Sequence, residues 1–387
     1  LVPETALAVV DLPAREPSRR DLRLAPHAGR SQVIPDRLAA QIRHWQLWVS
    51  FCHQHGLNPT LRSASSDCDA VPFLQVFAQR YRSGTIAPSC RPVRARTVED
   101  AIRAVAQALA AVGSPDPRLN SFGQIDFRLT SLWRAWKRND PPPTRVKPIP
   151  VQVLRQLVEN TRYLHNPVMM AISDMVILAF FFLLRPGEYT GTSSNTTPFT
   201  LRDIQLFIGR RRVPLLTCSD TLLAATTFGT LEFTTQKNGV RGEVIGLGST
   251  PAYFCPVKAL QRRVCHLRHH SAPETTPIAS YFLTGRWHRI SPSQITDALR
   301  ATVASCDSAQ LGFLHSDVSA RSLRAAGAMA LLCAEVDTDI IRLIGRWRSD
   351  EMLRYLHVQA EPVMRGFAPR MLQAEFTLLP NSTVPMH

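Results

Sequence analysis

Apolar residues recur at helical spacing through the first third of the chain. Leu38, Ile42, Trp45, Val49 and Cys52 lie one helical turn apart, and Gly56 follows as a stop. Phe73, Val76, Phe77 and Tyr81 mark a second helix, closed near Gly84. Thr97 and Asp100 have the spacing of a capping box and open a third helix that runs to Val112-Gly113. Leu129, Leu132, Trp133 and Trp136 mark a fourth. After a proline-rich break the pattern mixes periods. Helices are predicted near 150–162 and 167–184, and strands at 203–208 and 228–236. Leu231, Phe233 and Thr235 alternate with Glu232 and Thr234. Asn238-Gly239 is a hairpin turn signal, with Val244 to Leu247 as the return strand. Pro256 and Ser291-Pro292 each start a helix. Three more are predicted at about 319–334, 338–344 and 350–357, with a tail helix from Pro362 to about Ala374.

The break falls at Asp140 to Pro150, where Pro141, Pro142, Pro143, Pro148 and Pro150 crowd a basic stretch that is stiff and extended. It divides the chain into a disordered basic arm (1–30), a helical domain (31–140), the linker (141–150), a mixed domain (151–375) and a tail (376–387). A length of 387 residues, 45% of them hydrophobic, suffices for two domains with their own cores. Charge sharpens the picture: 45 Lys and Arg against 30 Asp and Glu leave +15, which favours a polyanionic partner. Ribosome-associated and membrane-surface proteins share that balance. The longest apolar run, Met175 to Leu184, is too short to span a bilayer and reads as a buried helix. Eight cysteines without pairing rhythm, and no secretory signal, point to a reduced intracellular protein. A chain that begins with Leu1 is read as a fragment or excised piece of a longer polypeptide.

Candidate chemistry lies in the second domain. Leu184-Arg185-Pro186-Gly187-Glu188 ends the apolar run. Lys237 precedes the hairpin turn. Ala320-Arg321-Ser322-Leu323-Arg324-Ala325-Ala326-Gly327-Ala328 and Gly345-Arg346-Trp347 follow, and Tyr355 comes ten residues after Gly345. Taken singly, each has a plain structural reading: Arg185 as a salt bridge to Glu188, Lys237 as an exposed hairpin residue, Tyr355 as a packing residue. In this order the residues resemble the tyrosine recombinase, or phage integrase, family. In detail they look closer to its transposon-borne eukaryotic branch (Crypton-like and DIRS-like elements). The resemblance implies a mainly α fold with a small β-sheet: a helical core-binding (SAM-like) domain followed by a mixed α/β catalytic domain. It implies Arg185, Lys237, Arg321, Arg324, Arg346 and Tyr355 as catalytic residues, Arg321 and Arg346 standing at positions where the family often carries histidine, or His or Trp. It also implies a homo-tetramer on paired sites of double-stranded DNA, no cofactor and no metal, and, for a eukaryotic element, the nucleus.

The residue types suit that chemistry. Arg185 and Arg324 offer planar, permanently charged donors to a phosphodiester and its more negative transition state. Tyr355, a phenol with a reference pKa near ~10, needs its proton removed or the phosphate polarised before it attacks. Lys237 is the candidate acid for the leaving 5′-hydroxyl. Of the six tyrosines only Tyr355 follows Arg324. An arginine at 321 cannot readily act as a base, but it can donate to a phosphate oxygen; His315 is six residues upstream. Arg91, Arg94 and Arg96, with Arg103, cluster at the third helix start, and Arg145 and Lys147 lie in the linker. All but Arg103 are the candidate DNA contacts, with a solvated face as the other reading of the helix cluster. Cys265, His266, His269 and His270, and Cys52, His53 and His55, lack zinc-site spacing. Two alternatives to a recombinase or transposase remain: a DNA-binding protein of this fold that no longer cuts, and a type IB topoisomerase-like nicking-closing enzyme.

Overall fold

The structure, a computed structural model, describes residues 35–61, 69–111, 113–142, 146–164, 166–190, 198–234, 242–306, 311–348 and 352–353, with side chains from residue 38 onward. It divides at Pro143/Thr144 into two compact units. The first holds α1 (Pro35–Gln54), α2 (Val71–Ser83), α3 (Ala95–Ala111) and α4 (Phe127–Asn139). Their shared core contains Trp48, Phe51, Phe77, Ile102, Leu109 and Leu129. The buried face of α1 matches the expected one only in part: Cys52 is buried and Trp45 packs against the core. Trp48 and Phe51 point inward while Ile42 is exposed, because the Trp48 indole donates to Pro59 O at 2.8 Å and packs edge-on against Phe77. Gly84 ends α2 at φ +90°, where a Cβ would sit 2.5 Å from Arg91 C. Only glycine fits there.

The start of α3 corrects the capping-box expectation. The helix begins at Ala95, so Thr97 already lies inside its first turn. The first N–H is capped from outside, by Asp140 Oδ2 at 2.8 Å from Ala95 N, and Asp140 also pairs with Arg82 at 2.9 Å. Asp100 pairs instead with Arg103.

The second unit is built on α6 (Pro167–Phe181), which is buried on every side from Ala171 to Phe180. The Asn166 side chain caps it by accepting from Val168 N and Met169 N. Around it lie α5 (Val151–Arg162), the short α7 (Pro186–Tyr189), β1 (Ile204–Ile208), β2 (Arg211–Val213), α8 (Asp220–Ala224), β3 (Phe228–Phe233) and β4 (Glu243–Gly248). Then come α9 (Pro256–His269), β5 (Ser280–Leu283), β6 (Arg286–Arg289), α10 (Pro292–Ala304), α11 (Ser322–Cys333) and α12 (Thr338–Ile344). The strands form an antiparallel sheet in the order β2-β1-β3-β4 and a separate β5-β6 hairpin. Leu206, Leu231 and Phe233 face the core, and Gly229 lets α9 approach, since a Cβ there would meet Leu260 Cδ1 at 2.9 Å. The protein is thus mainly α with a small β-sheet.

α6 carries a charge into the core. Asp174 is 2% exposed and accepts from Arg262 Nε at 2.7 Å. Burial raises its pKa and the neighbouring Arg262 pulls it back down. Within the proline-rich stretch, Ile149 is buried in the second unit's core. Among the described residues no helix is long and apolar enough to cross a membrane. The expected arm at 1–30, the turn at Asn238-Gly239 and the tail helix from Pro362 lie outside the described residues.

Candidate active site

The apolar run that reads as one helix to 184 ends at Phe181. Leu183 then takes φ +49°, the left-handed region that costs a branched side chain of order 1 kcal/mol. Leu184 N donates to Ala179 O at 3.0 Å, the 6→1 bond of a Schellman motif, with leucine where glycine is usual. The reason is tertiary. The Leu183 side chain is fully buried in a cluster with Ala328, Met329, Ile341, Trp347 and Met352, and its carbonyl accepts from two arginines.

Three distant segments deliver guanidinium groups to this turn. Arg185 stands just before α7, at the N-cap. Glu188 at the third position of α7 accepts from the Arg185 backbone N–H (Oε2, 2.8 Å) and from its guanidinium (Oε1, 2.8 Å). The Arg185 side chain stays 25% exposed. Arg346, at φ +56°, follows α12 and is 5% exposed. It donates to Phe182 O (3.2 Å), Ile344 O (3.1 Å), Leu183 O (3.2 Å) and Glu188 Oε2 (3.0 Å). Its guanidinium carbon lies 3.7 Å from the centre of the Phe233 ring. Burial pushes the Arg346 pKa down to about 10, with Glu188 pulling it up and Arg185 pushing it down, so it stays charged at neutral pH. Glu188 therefore holds two arginines with one carboxylate.

Arg324 is the most deeply enclosed of the three, at 2% exposure. It donates to Leu183 O and Gly345 O, and its guanidinium carbon lies 4.2 Å from the centre of the Trp347 ring. Two glycines permit this. At Gly327, one turn along α11, a Cβ would meet Phe180 O at 2.2 Å, so its absence lets α11 lie against the end of α6. At Gly345 a Cβ would meet the Trp347 ring at 1.6 Å, so the indole lies directly on that backbone. Neither contact was read from the sequence. A glycine inside the otherwise alanine-rich run of α11 was the available signal for a close approach.

The remaining expected site residues lie as follows. Arg321 is exposed at the N-cap of α11, and among the described residues its side chain makes no ion pair. Its loop is held by Tyr189, whose buried hydroxyl donates to Ala320 O at 3.1 Å. His315 is exposed. Lys237, Tyr355 and Arg145 lie outside the described residues; Met352, three residues before Tyr355, is buried against Leu183 and Trp347. In the first unit, Arg91 is exposed, Arg94 donates to Pro142 O at 3.3 Å, and Arg96 faces Glu99 and Asp100 at 3.9 and 3.5 Å. Lys147 is half-buried, and its backbone N–H donates to Asp317 O at 3.3 Å. Among the described residues no group of His, Cys, Asp and Glu could hold a metal ion. The second unit thus brings Arg185, Arg324 and Arg346 to one turn as a cationic array, Arg185 and Arg346 sharing Glu188 and Arg324 and Arg346 sharing the Leu183 carbonyl, a charge suited to an anionic group with several acceptor oxygens.

No family model matches the chain. No curated protein matches it. Solved structures do. The chain is similar to a variant of the Tn1549 transposon integrase (aa 82-397) in complex with transposon right end DNA, at 13% identity over 85% of this chain and 99% of that one, TM-score 0.46. It is similar to XerH site-specific recombinase bound to a palindromic difH substrate, at 11% identity over 86% and 80%, TM-score 0.49. XerA recombinase is similar at 14% identity over 85% and 98%, TM-score 0.37.

Proposed function

We propose that the protein is a DNA strand-breaking and rejoining enzyme of the tyrosine class, acting on double-stranded DNA as an integrase or transposase. The observation that carries this reading is the convergence of Arg185, Arg324 and Arg346 on the Phe182–Glu188 turn, with Met352 buried in the cluster beneath it. Three residues reach at most about 11 Å, so chain connectivity alone keeps Tyr355 within that distance of Met352. The Tyr355 phenolate oxygen attacks phosphorus, the bond to the 5′-oxygen breaks, and Lys237 gives that oxygen its proton. The phosphotyrosyl bond conserves the link, so the reverse attack by a 5′-hydroxyl reseals it. Arg185, Arg324 and Arg346 stabilise the charge on the non-bridging oxygens, and exposed Arg321 approaches from the α11 side. Arg91, Arg94, Arg96, Arg145 and Lys147 make contacts to the duplex backbone, and four protomers assemble on paired sites. In a eukaryotic host the protein works in the nucleus.

One observation favours a second reading, a DNA-binding protein that no longer cuts: Arg324 and Arg346 spend their donors on backbone carbonyls. A pool of random duplexes, each nicked so that the cleaved end diffuses away, separates the two. Active protein accumulates a DNA adduct that survives denaturation. Tyr355→Phe abolishes the adduct while duplex binding persists. Binding without an adduct establishes the silent protein, and an adduct that persists in Tyr355→Phe removes Tyr355 as the nucleophile.

A further inference from the structure

The outer face of the four-stranded sheet has a composition that packing does not explain. Cross-strand partners share a face, so Arg212, Phe207, Phe228 and Gly248 form one row across β2, β1, β3 and β4. Gln205, Thr230 and Gly246 form the next. This face points away from α9, which covers the other side, where Gly229 meets Leu260. An outward face is expected to be polar. Here Phe228 is 39% exposed and Val244 53% exposed, and Phe207 is half-buried with its ring centre 6.1 Å from that of Phe228. Gly246 keeps the platform low, since a Cβ there would sit 2.4 Å from Phe228 Cζ.

At the same end of the sheet, the Gly209-Arg210 turn and β2 present Arg210, Arg211 and Arg212, all exposed. None of the three pairs with an acid among the described residues. Two structural roles account for part of this. Arginines on an edge strand block edge-to-edge pairing, and an aromatic ring over a cross-strand glycine shields it. Arg211, paired with Ile208, lies on the opposite face; neither role explains aromatic rings beside Arg212 on one outward face.

We propose that this face binds single-stranded nucleic acid, with bases stacking on Phe228 and Phe207 and phosphates meeting Arg212, on the same face, and Arg210 in the turn beside it. Aromatic rings on an open antiparallel sheet supply a π-surface for unstacked bases, which a duplex does not offer, and flanking arginines neutralise the backbone. The site requires neither Tyr355 nor Arg324, so it stands or falls apart from strand cleavage.

The test uses the full chain with oligo(dT) and oligo(rU) of ~20 nucleotides and a blunt duplex of equal length. Phe228→Ala lowers single-strand affinity about tenfold, and Phe207→Ala lowers it by a similar factor, while duplex affinity moves by less than about twofold. Phe228→Leu keeps the apolar cover of Gly246 without the π-face and loses single-strand affinity equally, which separates stacking from folding. Replacing Arg210 and Arg212 with Ala flattens the salt dependence of single-strand binding, and replacing Arg211, on the opposite face, changes it less. Oligonucleotides carrying 5-iodouracil cross-link to Phe228 or Phe207 on irradiation. The two oligonucleotides distinguish DNA from RNA as the ligand. Cross-links confined to other residues, or Phe228→Leu binding single strands like the parent, overturn the proposal.

Discussion

Arg324 and Arg96 carry the same head group in opposite surroundings. Arg96, in the first unit, is 68% exposed at its side chain and faces Glu99 and Asp100 through water-accessible contacts of 3.9 and 3.5 Å. Such pairs contribute about 0–1 kcal/mol and weaken with salt. Arg324, in the second unit, is enclosed, and its partners are two backbone carbonyls and the face of an indole. Enclosing a guanidinium carries a large desolvation cost, which only such partners offset. A fold keeps a buried charge of this kind where geometry demands it. The exposed arginine is loosely held and screened by salt; the enclosed one fixes positions.

The contrast is broken or sharpened by substitution. Arg324→Ala orphans the Gly345 carbonyl and opens a cavity under Trp347, so we expect a loss of about 3–5 kcal/mol in urea unfolding, against less than about 0.5 for Arg96→Ala. Equal values for the two variants erase the distinction. Gly327→Ala forces α11 off Phe180 O and moves Arg324 with it, costing about 1–3 kcal/mol, whereas alanine in an open helix interior would stabilise. Glu188→Gln keeps the shape but removes the charge shared by Arg185 and Arg346, costing about 1–2 kcal/mol, while Asp100→Asn on the exposed face of α3 changes stability by a few tenths.

A titrating histidine extends the contrast to pH. Half-buried His266 on α9 accepts from Phe282 N at 3.1 Å, and burial, with Arg263 beside it, pushes its pKa from 6.5 to about 4. As pH falls below 6.5 the unfolded chain takes up the proton first, so stability is lost down to about pH 4 and is fully present above 6.5. His266→Gln, measured by thermal unfolding across that window, flattens the slope. The smallest effect belongs to Arg91. Its replacement with Ala leaves folding unchanged and lowers the salt slope of duplex binding by about 1 if it neutralises one phosphate.

Most helices were legible because their faces are bounded by strong local signals. Asn166-Pro167, Pro256 and Ser291-Pro292 each open a helix where expected. The β3 alternation was legible too, with Leu231 and Phe233 inward. What the sequence hid was set by distant contacts. The cap of α3 comes from Asp140, 45 residues away, so the local Thr97–Asp100 pattern misled. The end of α6 carries no glycine or proline, because two arginines and a buried cluster hold Leu183 left-handed. The short β2 and the β5-β6 hairpin were missed because strands of 3 and 4 residues leave little periodicity. For the site, motif order singled out Arg185, Arg324 and Arg346. That Arg346 joins Arg185 on Glu188, and shares a carbonyl with Arg324, follows only from the fold.

The Leu183 carbonyl, with two donors, gives the array a spare partner. If one Arg324 N–H leaves it, Arg346 still satisfies that carbonyl at 3.2 Å, and the left-handed turn keeps its anchor. The anchoring of the turn is thus redundant, and a side-chain movement at one of its two donors is separable from local unfolding.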